Sequence, residues 1–180
     1  MNIFFLSENP RQAAVWLVDR HIVKMILESA QILCTAHRVC DGHEVIEQKE
    51  SGRKVKRYLL KDKVLDENLY SATHINHPST VWARESKANY SWLYEHTGEM
   101  LNEYSRRYNK IHKVESDGLY GLLKDPPKNI LKTHLTPFAI AMADEYKISC
   151  DPIECYRYYY KYGKERMHSW KNIESKPEWL

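Results

Sequence analysis

From Asp19 to Arg38 the chain reads DRHIVKMILESAQILCTAHR, apolar over most of its length, with six polar residues recurring every three or four positions. His21, Lys24, Glu28, Gln31, Thr35 and Arg38 therefore stack along one side of an α-helix as a stripe about five turns long. Ile22, Val23, Met25, Ile26, Leu27, Ala30, Ile32, Leu33, Cys34 and Ala36 fill the remaining circumference. A helix apolar on several sides is packed on several sides, so its polar line borders either a cleft or a narrow solvated edge.

Upstream, NIFFL at residues 2–6 reads as a short buried strand or extended start. SENP follows, where Ser7 or Asn9 can cap a helix with Pro10 in its first turn. That helix is expected to run to about Val39, with a bend near Asp19, and to end at Asp41-Gly42. Residues 43–60, HEVIEQKESGRKVKRYLL, alternate imperfectly around Ser51-Gly52, the pattern of a β-hairpin inserted between helices. A third unit, capped by Ser79 or His77, keeps Trp82, Tyr90, Leu93, Tyr94, Met100, Leu101 and Tyr104 at helical spacing to about Tyr108, with a kink near Lys87. The proline-punctuated KDPPKNI and LTPF are connections. PIECYRYYYKYGKERMHSW forms a final helix before the tail ESKPEWL. The expected architecture is mainly α: a compact single domain over residues 1–180, with a short N-terminal strand and a basic hairpin inserted at 43–66.

Composition adds two points. Thirteen Tyr and five Trp in 180 residues are a heavy aromatic load, suited to stacking surfaces as well as to a core. A net charge of +3 does not announce a nucleic-acid partner, but its distribution says more. Lys49, Arg53, Lys54, Lys56, Arg57, Lys61 and Lys63, against Glu50 and Asp62, put +5 on one short segment. A soluble lysine-rich loop would have the same composition. With no signal peptide and no apolar run of about 18 residues, a cytoplasmic location is expected, with no membrane partner. Cys34, Cys40, Cys150 and Cys155 form no CxxC pair and are expected as free thiols.

The candidate chemistry centres on the stripe. Glu28 is its only carboxylate, one turn from Lys24 and two from His21, and such an acid either pairs with a cation or is desolvated, as at acid/base sites. His21 can orient Glu28 or touch a phosphate. Lys24, Gln31 and Arg38 would position phosphates, joined by Arg53, Lys54, Lys56 and Arg57 of the hairpin and by Asn2, His77, Arg84 and Lys161. His74 and His77 have a spacing that metal ligands use, but there is neither HExxH nor a cysteine set, and no metal is expected. Asn76, His77 and Ser79 read instead as a helix cap whose N–H groups could receive a phosphate. No P-loop, GxGxxG or GxSxG occurs, which argues against nucleoside triphosphatases, dinucleotide enzymes and α/β-hydrolases; no cofactor is expected. The final helix interleaves five tyrosines with Arg157, Lys161, Lys164 and Arg166, a pattern shared by nucleic-acid surfaces and by packed amphipathic helices.

NIFFL leading into DRHIVKMILE resembles the phage pyrimidine-dimer DNA glycosylases of the endonuclease V type, matching on Asp19, His21 and Glu28. The segment NHPSTVWARESKANYSWLYEHTGEMLNEYSRRYN and the Tyr-rich, Pro-Trp-containing end fall in that family's order, while the basic hairpin has no obvious counterpart there. The resemblance implies a small helical protein in which a nucleophile attacks C1′ of a damaged nucleotide. Glu28 would stabilise charge and move protons as the N-glycosidic bond breaks. It further implies a nucleophilic α-amino group on a small residue exposed by removal of the initiator Met. Asn2 is too bulky for efficient removal, so the amine is expected on Met1, one residue out of register. Direct activation of water by Glu28, releasing the base without strand cleavage, is then the expected outcome. The partner would be DNA, double-stranded with an extruded base or single-stranded, in the host cytoplasm if the chain is phage-encoded. Two alternatives stand beside it: a non-catalytic nucleic-acid-binding phage accessory protein, and an N-glycoside hydrolase acting on free nucleotides.

Overall fold

The computed structural model describes residues 1–171 and 173–180. Among these, eight α-helices and one two-stranded antiparallel sheet make a mainly helical fold, as the periodicities predict. Pro10–Val15 forms α1 and Asp19–Asp41 forms α2. Asn9 caps α1 by accepting the Gln12 N–H at 3.0 Å, with Pro10 in the first turn. The bend expected near Asp19 is a full break, and Arg107 accounts for it. Its guanidinium donates to the carbonyls of Val15 and Leu17, each at 2.8 Å, and pairs with Asp19 at 3.1 Å and Glu103 at 3.0 Å. Carbonyls that the break would leave orphaned are thus satisfied from a distant helix.

Residues 2–6 form no strand; the sheet consists of the hairpin alone. Ile3 to Leu6 are nevertheless buried, with the Phe5 ring 4.3 Å from Phe138 and 4.9 Å from Trp82 between centroids. β1 (His43–Gln48) pairs with β2 (Lys54–Leu59) from His43–Leu59 to Gln48–Lys54. Glycine is required on both sides of β1: a Cβ on Gly42 would collide with the Arg38 carbonyl, and Gly52 turns the hairpin at φ +78°. The hairpin expected over 43–66 ends at Leu59, and residues 63–66 belong instead to α3 (Lys63–Asn68), where Asp62 caps the first turn by accepting the Leu65 N–H.

The expected kink near Lys87 is also a break, between α4 (Pro78–Ala83), capped by His77, and α5 (Lys87–Tyr108), capped by Ser86. Two short helices, α6 (Lys113–Ser116) and α7 (Leu119–Leu122), follow. Residues 123–143 carry no helix or strand, consistent with their prolines. The expected long final helix is shorter: α8 (Pro152–Tyr158) passes into a π-helical turn, Tyr159–Gly163. One apolar cluster joins the N-terminal thread, α2, α5, Tyr156 and Tyr160. Among the described residues no helix is long and apolar enough to cross a membrane, and all four cysteines are free.

Candidate functional site

A cleft of about 330 Å³ opens beside the first half of α2. Helical spacing brings Arg20, His21, Lys24 and Glu28 to its wall, and Met1, Asn2 and Phe4 line it from the N-terminal thread. Tyr159, Lys164 and Met167 close the other side. Glu28 is only 9 % exposed. Its Oε2 accepts the Asn2 N–H at 3.0 Å and lies 3.5 Å from the Met1 amino nitrogen. Lys24 Nζ approaches Oε1 at 3.2 Å. Apart from Glu28, every charged group of the lining is a cation: the Met1 amine, Arg20, Lys24 and Lys164.

Asn2 holds this geometry in place. Its Nδ2 donates to Ala141 O at 3.0 Å, and its Oδ1 accepts from the Ile3 N–H at 2.8 Å and the Tyr156 hydroxyl at 3.0 Å. The side chain expected to contact nucleic acid anchors the terminal thread at the cleft wall, sharing the Tyr156 hydroxyl with Ala139 O at 3.1 Å. His21 also departs from expectation. It makes no hydrogen bond to Glu28; its Nδ1 meets the Tyr160 hydroxyl at 2.8 Å, and its ring stacks on Phe4 at 4.3 Å. Burial, reinforced by Lys164 and Lys24, pushes the imidazole down to about 3, so it is neutral at physiological pH.

The rest of the stripe does not share the cleft. Gln31 is half-buried outside its lining. Thr35 is buried, donating to Gln31 O at 2.7 Å and accepting the Thr73 N–H at 3.1 Å. Arg38, expected on the phosphate track, has all five N–H donors occupied. They reach the carbonyls of Tyr70, Tyr58, Asp66 and Leu69 and the Asp66 carboxylate at 2.6–2.8 Å. With no donor left for a phosphate, Arg38 is the bolt that fixes the hairpin base to α2.

Arg53, Lys54 and Lys56 are exposed on the hairpin and Arg57 is half-buried. Strand pairing brings β1 carboxylates against two of them, Lys56 to Glu44 at 2.9 Å and Arg57 to Glu47 at 3.0 Å. The hairpin itself, residues 43–59, carries five cations and three carboxylates, a net +2: it takes in Glu44 and Glu47 and leaves out Lys61, Asp62 and Lys63 of the +5 segment at 49–63. Alternation puts Lys54 and Lys56 on one face and Arg57 on the other. His77 caps α4, its Nδ1 accepting the Ser79 N–H at 3.3 Å, and Arg84 donates to Ile75 O at 2.7 Å. Lys161, expected as a nucleic-acid contact, leans on the Tyr162 ring, 6.0 Å from its centroid and outside the cleft lining, whereas Lys164 of the same tyrosine-cation run lines the cleft. Among the described residues no three His, Cys, Asp or Glu side chains gather to hold a metal ion.

Arg20 and Met167 were not legible as site residues, and Tyr159 and Lys164 were visible only as members of the tyrosine-cation run. Arg20 falls one position before the histidine that opens the stripe, and a wider stripe would have included it; the other three depend on the π-helical turn. Compared with known proteins, the chain matches no family model, no curated protein and no solved structure.

Proposed function

We propose that the protein cleaves N-glycosidic bonds in DNA, with Glu28 as the carboxylate that handles protons. The observation that carries this reading is the placement of Glu28 3.5 Å from the Met1 amine on the wall of a cleft whose other charged groups are all cations. Breaking the bond between sugar and base builds positive charge on the sugar and negative charge on the departing base. A carboxylate beside C1′ stabilises the first, and cations stabilise the second. Glu28 can also take the proton of an attacking nucleophile. The Met1 nitrogen is one nucleophile within its reach, and water entering the cleft is the other.

At about 330 Å³ the cleft suits one nucleotide rather than a duplex, so the target would be extruded from the stack or supplied single-stranded. Arg20, Lys24 and Lys164 would take its flanking phosphates. The hairpin starts some 15 residues after Glu28, which at 1.5 Å per residue is about 20 Å along α2. That distance spans roughly six base pairs at 3.4 Å each, and Lys54 and Lys56, farther out on the hairpin, would meet the flanking duplex beyond it. The cleft volume equally favours a second reading, hydrolysis of free nucleotides, in which the hairpin cations are dispensable.

Glu28→Gln is expected to lower base release from damaged duplex DNA by at least about 100-fold while far-UV circular dichroism stays native. Full turnover in that variant would remove Glu28 from the mechanism. Borohydride added during turnover identifies the nucleophile: an adduct mapped to Met1 marks the amine, and base release without an adduct marks water. Reversing Lys54 and Lys56 to Glu separates the substrates, since a DNA enzyme loses affinity and a nucleotide enzyme keeps its rate.

A further inference from the structure

Behind His21 lies a buried hydroxyl that the proposed reaction does not use. Tyr160 is fully enclosed; its oxygen accepts the Val18 N–H at 2.9 Å and sits 2.8 Å from His21 Nδ1. A buried O–H with no acceptor costs roughly 1–3 kcal/mol. Among the described residues Nδ1 is the one acceptor within hydrogen-bond distance, so the phenol proton points to it. A neutral imidazole that accepts at Nδ1 carries its own proton on Nε2.

Nε2 is the nitrogen that meets the cleft. It has no protein partner, yet the only sealed side-chain nitrogen or oxygen atoms without a partner among the described residues are Ser79 Oγ and Trp179 Nε1. His21 Nε2 is therefore open, and the space His21 lines is the cleft itself. The parallel stack on Phe4, with 14° between planes, holds the ring in that attitude. We infer that Tyr160 is a positioning residue that fixes His21 as its Nε2–H tautomer and so presents a neutral hydrogen-bond donor to an oxygen atom of the substrate.

The substrate side of this inference rests on the N-glycosidic reading, where the acceptor is a sugar or phosphate oxygen. Burial, and after it Lys164 and Lys24, disfavour an added proton on the ring, while Glu28 is the one carboxylate of the lining. The consequence is a division of labour: His21 donates a hydrogen bond without giving up its proton, and proton transfer falls to Glu28 and the nucleophile.

Two-bond ¹H–¹⁵N correlation spectra of histidine-labelled protein read the tautomer directly, with His21 assigned by its absence in His21→Gln. At pH 7 the expected pattern is a single form protonated on Nε2; an Nδ1–H form, an averaged pair or an imidazolium overturns the inference. Tyr160→Phe keeps the ring and removes the hydroxyl. It is expected to give a tautomer mixture and, in the cleavage assay, a fall in kcat of about tenfold at unchanged KM, the worth of one hydrogen bond. An unchanged single tautomer, or a tautomer shift that leaves kcat untouched, overturns the positioning role. The spectra need no substrate, so they decide the tautomer even if Glu28→Gln shows the glycosidic reading to be wrong.

Discussion

Lowering the pH from 8 to 5 is expected to destabilise this protein more than its surface charge would suggest, because the fold keeps two histidines neutral in its interior. His21 is pushed down to about 3 by burial, with help from Lys164 and Lys24. His96 is pushed down to about 4 by burial, which outweighs its Pro10 carbonyl partner. Between those values and the ordinary 6.5, the unfolded chain binds protons that the folded chain refuses. Stability is therefore full above 6.5 and declines as pH falls toward the folded values. At pH 5 each group costs about 2 kcal/mol by this linkage, about 4 kcal/mol together. Set against a total of roughly 5–15 kcal/mol, that is a large fraction. His37, His77 and His112 are shifted downward too, chiefly by burial, so they add in the same direction. Asp66, Glu85 and Asp144, held below the ordinary carboxylate range by hydrogen bonds and neighbouring cations, act only at more acid pH. Urea unfolding followed by circular dichroism at pH 8, 7, 6 and 5 measures the slope, and His96→Gln should remove close to half of the two-histidine share. A stability independent of pH over this range, or an unaltered slope in the variant, would refute the assignment of these two side chains as buried and neutral.

Three further outcomes follow from the packing. Arg38→Ala should cost about 3–5 kcal/mol, read by urea unfolding, and Arg38→Lys should fail to restore it because one ammonium cannot serve five fixed acceptors; a loss below about 1 kcal/mol would disprove the bolt. Arg106 and Arg107 both pair with Glu103, but their side chains are 43 % and 0 % exposed. Alanine at Arg106 should therefore cost about 1 kcal/mol or less and at Arg107 about 3–5 kcal/mol, and equal losses would contradict the burial argument. Lys54→Glu combined with Lys56→Glu should flatten the dependence of log affinity on log salt for duplex DNA by about two units, and an unchanged slope would place the phosphates elsewhere.

How much of this was legible in the chain depends on where each partner comes from. The helices α2 and α5, the caps at Asn9 and His77, and the hairpin turn follow from local periodicity and from residues within a few positions of one another, whereas the Ser86 cap that starts α5 is legible only as a kink near Lys87. The stripe on α2 was legible as one object because its spacing is local, but its residues meet three different fates. Lys24 and Glu28 meet the cleft, Thr35 meets Thr73, and Arg38 is enclosed by the hairpin base. Nothing in the helix itself distinguishes these positions; the chain segments that cover them do. The break between α1 and α2 has the same origin, since Arg107 stabilises it from some 90 residues away.

The site depends on two such long-range closures, and each moves a different wall. The Met1 amine reaches Glu28 because Asn2 is tied to Ala141 and Tyr156, 139 and 154 residues distant. The opposite wall depends on the π-helical turn at Tyr159–Gly163, which inserts an additional residue into the helical repeat. With a regular period of 3.6 the residues after Tyr158 would rotate away from the positions they hold. The turn lets Tyr160 enter the core behind His21 while Tyr159 and Lys164 line the space in front. π-Turns are uncommon and occur frequently at functional sites, and here one irregularity sets both the back and the mouth of the cleft. A repair of the turn by deleting one residue between Tyr160 and Lys164 should therefore alter the His21 tautomer and the cation at the mouth together, and an effect on either one alone would separate the two walls.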